Sequence, residues 1–291
     1  MIEESRTQIN TTEDPKAAVW LTPGGGSGAV AVVSDGSGAG GESRSASWTG
    51  PLNAAAVLRE RVGMKAVAVL VGAESSEELT DALRGLAGDY SAVYLVGTDP
   101  VRGRDAQAAL SGTVPVITDR QTLAVAAVAA ALTILTRAGV APADGHAVII
   151  GAECDRLVAA LAVAAGIGEI SSWGLDDAHD FPLHVLTGRA TVVIDLLGCA
   201  GHGRMAATSQ PRACVVTVDD PTVALLALPG LVAAAVTTGR SPDLTACLAC
   251  ARTLSDRTPP DRTLPVLSDS DLGAAGVDIA PSPTRRPHPV R

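Results

Sequence analysis

The side chains that could do chemistry stand at a few places in this 291-residue chain. Cys199 and His202 lie three apart in the glycine-rich "GCAGHGR" that follows an apolar run. A thiol beside an imidazole is the pairing of a nucleophile with its base. No acid that would orient the imidazole is evident, and a solvent-facing loop histidine is the plainer reading. Cys247 and Cys250 form "CLAC". Zinc sites use that spacing in two pairs, and here a second pair is lacking, so packing in an Ala-rich helix is expected. The stretch "AVIIGAECDRLVAAL", 147–161, runs from an apolar strand through Gly151 into an amphipathic helix. Dinucleotide folds grip a pyrophosphate with that layout. Past Gly151 and Ala152, however, the glycines give way to Glu153, Cys154, Asp155 and Arg156. Two carboxylates at a helix start occupy the electrostatic role of a phosphate. Asp155 also reads as an ordinary helix cap, and Arg156 is placed to neutralise one of the acids. His146, His179 and His184 share no spacing, and none takes a ligand role.

These residues need a scaffold, and the apolar pattern supplies one. "AVAVVSD" (29–35), "KAVAVLVGA" (65–73), "SAVYLVG" (91–97) and "TVPVITD" (113–119) read as strands, with amphipathic segments such as Ser76 to Ala87 between several of them. A long helix is expected from about Gln121 to Ala138. A second set of strands follows in "AVIIGA", "EISSWGL", "ATVVIDLLG" and "ACVVTVDD". Runs that are apolar on both faces and alternate with helices indicate parallel sheets covered on both sides, an α/β architecture. The expected organisation is a flexible arm over 1–16, a first domain over 17–139, a Rossmann-like domain over 140–254 and a disordered tail over 255–291. The Gly- and Ser-rich segment 36–50 reads as a mobile loop rather than a phosphate cradle, since no Gly-Lys-Ser/Thr follows.

Composition narrows the function classes. A formal net charge of −9 argues against a nucleic-acid partner. The longest apolar runs, Leu123 to Leu135 and Val223 to Val236, fall short of the roughly 20 residues a bilayer span needs, so no membrane association is expected. The polar, acidic amino terminus has no apolar core segment, which points to a cytoplasmic protein. Five cysteines, an odd number, fit reduced thiols. Lys16 and Lys65 are the only lysines, an arginine preference typical of a GC-rich bacterial genome. Aromatics are 2% of residues, so the core must be built from small side chains packed closely.

The order of segments resembles the bacterial malic enzymes. "LTPGG" (Leu21 to Gly25), "VAVVSDGSG" (Val30 to Gly38), "PVITDRQTLAV" (Pro115 to Val125), the strand and helix at 147–161 and the late "ALPGLVAAAV" are collinear with that family's motifs over residues 18–240. The resemblance implies a two-domain α/β fold, a homodimer, and oxidative decarboxylation of malate with NAD or NADP and a divalent metal. Residue by residue the implied machinery departs from the pattern. The family's proton-donating tyrosine falls on Leu21, and its general-base lysine falls on Ala54 or Ala55. The metal-binding Glu-Asp pair falls on Val96 and Gly97, and the second aspartate of its Asp-Asp-Gln motif falls on Arg120. A guanidinium repels a divalent cation, so a metal is not expected. Asp99 and Asp119 remain as ligands only if the alignment slips.

Asp119, Arg120 and Asp99 are therefore the candidate catalytic residues, with Arg120 either holding a small carboxylate ligand or closing an abandoned site as an ion pair. Gly151, Ala152 and Asp176 are the candidate NAD(P) contacts, with Gly174 at the place of the family's ribose-binding acid and Asp220 and Pro221 in place of its Asn-Pro. The expected function is that of a malic-enzyme-like protein without the oxidative decarboxylation, a pseudoenzyme with a scaffolding, regulatory or ligand-binding role and with room for a protein partner. Two alternatives stand beside it: a diverged enzyme using Asp119, Asp99, Arg120, Cys154 or His202, and a residual NAD(P)-dependent malate oxidoreductase.

Overall fold

A computed structural model describes residues 7–10, 18–21, 28–38, 44–197, 214–217 and 224–265. Cys199, His202, Asp220, Pro221 and most of "LTPGG" lie outside these residues. All eight expected strands form: β3 Val30–Ser34, β4 Ala66–Val71, β5 Ala92–Leu95 and β6 Val116–Thr118, then β7 His146–Ile150, β8 Glu169–Trp173, β9 Val192–Asp195 and β10 Cys214–Thr217. Two further strands, β1 Thr7–Asn10 and β2 Ala18–Leu21, precede them. The first sheet has the order β1-β2-β4-β3-β5-β6, its last four strands parallel; the second is parallel throughout, in the order β10-β9-β7-β8. Strands apolar on both faces need cover on both faces, and the helices provide it.

The central cover is the helix α4 Asp119–Arg137. Almost every side chain from Gln121 to Leu135 is buried. Its alanines let neighbours approach closely, so α4 packs against α5 Arg156–Ala164, against the last helix and against β9. One apolar cluster consequently runs from Val30 and Val32 of the first sheet through Val128 and Leu135 to Ile149 and Ile194 of the second. The chain segment near residue 140 divides the sheets without dividing the core. The outer face of the first sheet is closed by α2 Ser76–Leu86 and α3 Pro100–Ala109, and that of the second by α6 Leu183–Thr187.

Four segments differ from the sequence expectation. Thr7–Asn10, expected within a flexible arm, pairs antiparallel with β2, which extends the sheet along the edge of β4 whose backbone groups would otherwise lack partners. The segment 36–50, expected as a mobile loop, is helical from residue 44, the start of α1 Arg44–Arg61; tertiary burial of Ala54, Ala55 and Leu58 outweighs its Gly and Ser content. Helix α4 begins two residues before Gln121, because Thr118 and Gln121 cap it reciprocally. After α7 Leu228–Thr238, the last helix, α8 Leu244–Asp256, crosses the expected boundary at 254, and Leu264 still packs on the core.

Candidate functional site

The carboxyl edges of both sheets face one crevice, the place where open α/β sheets bind ligands. In the first sheet the chain leaves β3 for β4 on one side and then crosses back to β5 on the other. The loops after β3 and β5 meet there, with the Gly38 N–H donating to the Gly97 carbonyl at 2.9 Å. A Cβ on Gly38 would lie 2.7 Å from the Gly97 carbonyl carbon, so the contact requires glycine. Beneath it the fully buried Asp35 carboxylate accepts from Arg102 Nη1 at 3.1 Å and from Ser37. Arg102 also donates to the Ala73 and Glu74 carbonyls, which ties α3 to the end of β4.

Asp99 serves this framework. Its Oδ1 accepts from the Val101 and Arg102 amides at 2.9 and 3.2 Å, capping α3, while its own N–H donates to Ser37 Oγ. Asp119 Oδ2 accepts from the Gly97 amide at 2.7 Å. Burial raises the Asp119 carboxyl above its ordinary value; the Gly97 and Arg120 amides and the Arg120 charge pull the other way and only partly offset it. Arg120 reaches across the crevice and donates from Nη1 to the Cys154 carbonyl. Asp155 caps α5, with Oδ1 accepting from Leu157 N–H at 3.0 Å. Burial also raises the Asp155 carboxyl; its own amide bond and the Arg120 charge lower it, and the Asp119 charge raises it further. One guanidinium thus stands between two carboxylates.

Two adjoining chambers, of about 460 and 600 Å³, share a wall built from Thr98, Pro100, Asp119, Arg120, Cys154 and Asp155. Among the described residues, two buried side-chain polar atoms have no hydrogen-bond partner, and both belong to this wall: Thr98 Oγ1 and Asp155 Oδ2. Tyr94, a buried wall residue of the smaller chamber, bonds to Thr122 Oγ1 at 3.1 Å, and burial raises its phenol above the ordinary value. The sequence picks out neither Thr98 nor Tyr94, and marks Asp155 as a helix cap and as a charge in the phosphate's place, not as a wall residue with an oxygen to spare. The sole prior signal was their position at strand and helix ends, shared with many residues that do nothing.

The second sheet has its own switch point, between β7 and β9. Gly151 sits there at φ 78°, its N–H donating to the Trp173 carbonyl at 2.8 Å. A Cβ on Gly151 would lie 2.6 Å from Leu197 Cγ, so this glycine makes room for a leucine. Glu153 extends toward the end of β8, its Oε1 3.2 Å from where a Gly174 Cβ would be. Ala152 packs against the core. Asp176 is exposed and borders neither chamber; the neighbouring Asp177 accepts from the Gly174 amide at 2.8 Å.

A dinucleotide would have to lay its pyrophosphate over Gly151 and against the start of α5. Leu197 packs where a Gly151 side chain would stand, and the Asp155 carboxylate already takes up the Leu157 amide at the start of α5 beside Glu153, so these residues do not fit the group. Nor do they fit a divalent cation. Among the described residues no three His, Cys, Asp or Glu side chains cluster as ligands, and Arg120 brings positive charge into the wall. Of the two alanines aligned with the family's lysine, Ala54 borders the smaller chamber and Ala55 lies in the core. Val96 and Gly97 both border that chamber, with no ligating side chain. At the opposite edge of the second sheet, His146 Nε2 lies 3.0 Å from Ser171 Oγ and 3.8 Å from Glu169 Oε1. Both partners share one ring nitrogen, which is not the arrangement of a proton relay. The CLAC thiols are buried and pushed up to about 12, as expected of packing residues.

Comparison with solved structures follows this geometry. Malic enzyme from Pyrococcus horikoshii aligns with a TM-score of 0.68 and 16% identity over 87% of this chain and 75% of that one. Malic enzyme from Entamoeba histolytica aligns with a TM-score of 0.72 and 16% identity over 87% of this chain and 68% of that one. NAD-dependent malic enzyme from Thermotoga maritima aligns with a TM-score of 0.69 and 16% identity over 87% and 83%. No protein-family model and no curated protein sequence matches the chain. The chain has a malic-enzyme-like fold; identity this low speaks for the fold alone. Among the described residues no helix is long and apolar enough to cross a membrane.

Proposed function

We propose that this chain keeps the malic-enzyme-like scaffold without the oxidative decarboxylation of malate, and that its crevice serves as a binding pocket. The observation that carries the reading is the start of α5, where the Asp155 carboxylate takes up the Leu157 amide beside Glu153 and puts negative charge where a pyrophosphate would lie. Hydride transfer needs a cofactor held there. The Arg120 guanidinium, bonded to the Cys154 carbonyl between Asp119 and Asp155, supports the reading from the other side of the crevice, because it leaves a divalent ion facing a fixed positive charge. Self-association as a homodimer belongs to the same reading and rests on the family resemblance; equilibrium sedimentation reads it.

The test is direct. The purified chain, given malate, Mn²⁺ and either NAD⁺ or NADP⁺, is expected to produce no absorbance at the nicotinamide band and no thermal shift with either cofactor at roughly millimolar concentration. Malate-dependent reduction of either cofactor would overturn the proposal.

A further inference from the structure

The crevice that this reading leaves as a pocket has a chemistry of its own. We propose that it binds a small organic monocation, an alkylammonium with a short apolar body, whose N–H groups meet Asp155 Oδ2 and Thr98 Oγ1. The inference deepens the proposed function and rests on it, since an active malate oxidoreductase would fill the same space with an anion.

Three observations converge. The first is the pair of unsatisfied atoms: Asp155 and Thr98 are 7% and 8% exposed, and neither Oδ2 nor Oγ1 has a partner in the protein. An acceptor withdrawn from water without a donor is costly, and such atoms in a cavity wall mark where a donor belongs. An ammonium carries three donors and no acceptor, so it can serve a carboxylate oxygen and a hydroxyl oxygen together. A neutral alcohol can also serve both, donating to Oδ2 and accepting from the Thr98 hydroxyl, so the choice between the two ligands rests on charge.

The second is charge. The shared wall holds the Asp119 and Asp155 carboxylates against the single Arg120 guanidinium, and that guanidinium already spends Nη1 on the Cys154 carbonyl. The wall is one positive charge short. An incoming carboxylate would meet two like charges there, whereas a monocation completes the balance. The third is shape. The smaller chamber, about 460 Å³, is walled beyond the acids by Val57, Val96, Leu123 and Leu196. Apolar walls with a few convergent polar groups are what a small amphiphilic ligand requires.

The probe is n-butylammonium, with n-butyrate, 1-butanol and NaCl at equal concentration as controls, read by amide chemical-shift changes and by thermal shift on the full chain. Butylammonium at about 10 mM is expected to move the Thr98 and Asp155 amides and to raise the melting temperature, and the three controls to do neither. Asp155→Asn keeps the α5 cap, since asparagine caps as well as aspartate, yet should weaken the ammonium at least about tenfold by removing the charge. Thr98→Val should weaken it severalfold while leaving the free protein as stable or more so, because it removes a buried hydroxyl that has no partner. The inference falls if butylammonium does not bind, if butyrate or butanol binds as tightly, or if both variants bind it unchanged. Those outcomes leave the proposed function standing. Cofactor reduction with malate removes that function whatever the amine does, so the two failures are distinct.

Discussion

Replacing Arg120 by methionine keeps the aliphatic stem and removes the guanidinium, and the geometry predicts both a cost and its pH dependence. The bond to the Cys154 carbonyl crosses from α4 to the start of α5. A hydrogen bond from a charged donor contributes about 1.5–3 kcal/mol when buried; Arg120 is only half-buried, so screening by solvent brings this to about 1–2 kcal/mol. For a chain of this length the entropy of unfolding is roughly 0.6 kcal/mol per kelvin, so that part of the loss lowers the melting temperature by about 2–3 °C at any pH. The second part depends on pH. Asp119 and Asp155 are both raised above their ordinary value of 3.8 by burial, and the Arg120 charge lowers both. A carboxyl raised in the folded state contributes stability that is present below 3.8 and is lost as pH rises through the folded value. Arg120 limits that loss. The gap between wild type and Arg120→Met should therefore be smallest below about pH 4 and should widen on going to about pH 8. Urea or thermal unfolding across that range measures it. A gap that stays constant with pH, or that grows on acidification, would refute the placement of this guanidinium between two carboxylates.

Two further substitutions and one labelling experiment probe the frame around the crevice. Gly151→Ala places a methyl 2.6 Å from Leu197 Cγ at φ 78°, whereas Gly139→Ala, at φ 67°, meets nothing within 4 Å. The second should cost about 1–2 kcal/mol from the left-handed conformation alone, and the first measurably more by the same unfolding assay. In the folded protein at mildly alkaline pH, Cys154 and Cys214 should be alkylated and the buried Cys247 and Cys250, pushed up to about 12, should stay protected until denaturant is added, as peptide mass spectrometry would show.

Much of the scaffold is legible residue by residue, because its cause is local. Alternating and continuous valine runs specify strands, and all eight expected strands form within a few residues of the expected bounds. The cap of α5 is equally local: an aspartate one residue before a helix accepts from the amide two residues on, and Asp155 does so. The strand at Thr7–Asn10 is not local; it exists because the sheet presents an open edge there, and nothing in "TQIN" announces a partner. The helical state of residues 44–50 likewise depends on the body of α1 being buried against β3 and β4.

The site shows the same division. The departures at Ala54, Val96, Gly97 and Arg120 are matters of residue type, and sequence alone determines what those side chains are unable to do: an alanine accepts no proton and a guanidinium holds no cation. What replaces the missing chemistry depends on side chains far apart in the chain meeting in space. Leu197 reaches Gly151 across 46 positions. Arg120 finds the carbonyl of Cys154, 34 residues on. Thr98 and Asp155 border the same cavity with an oxygen each to spare. Residue identity sets chemical capacity, while burial and proximity set which capacities are used, and those two quantities exist only once the chain has folded.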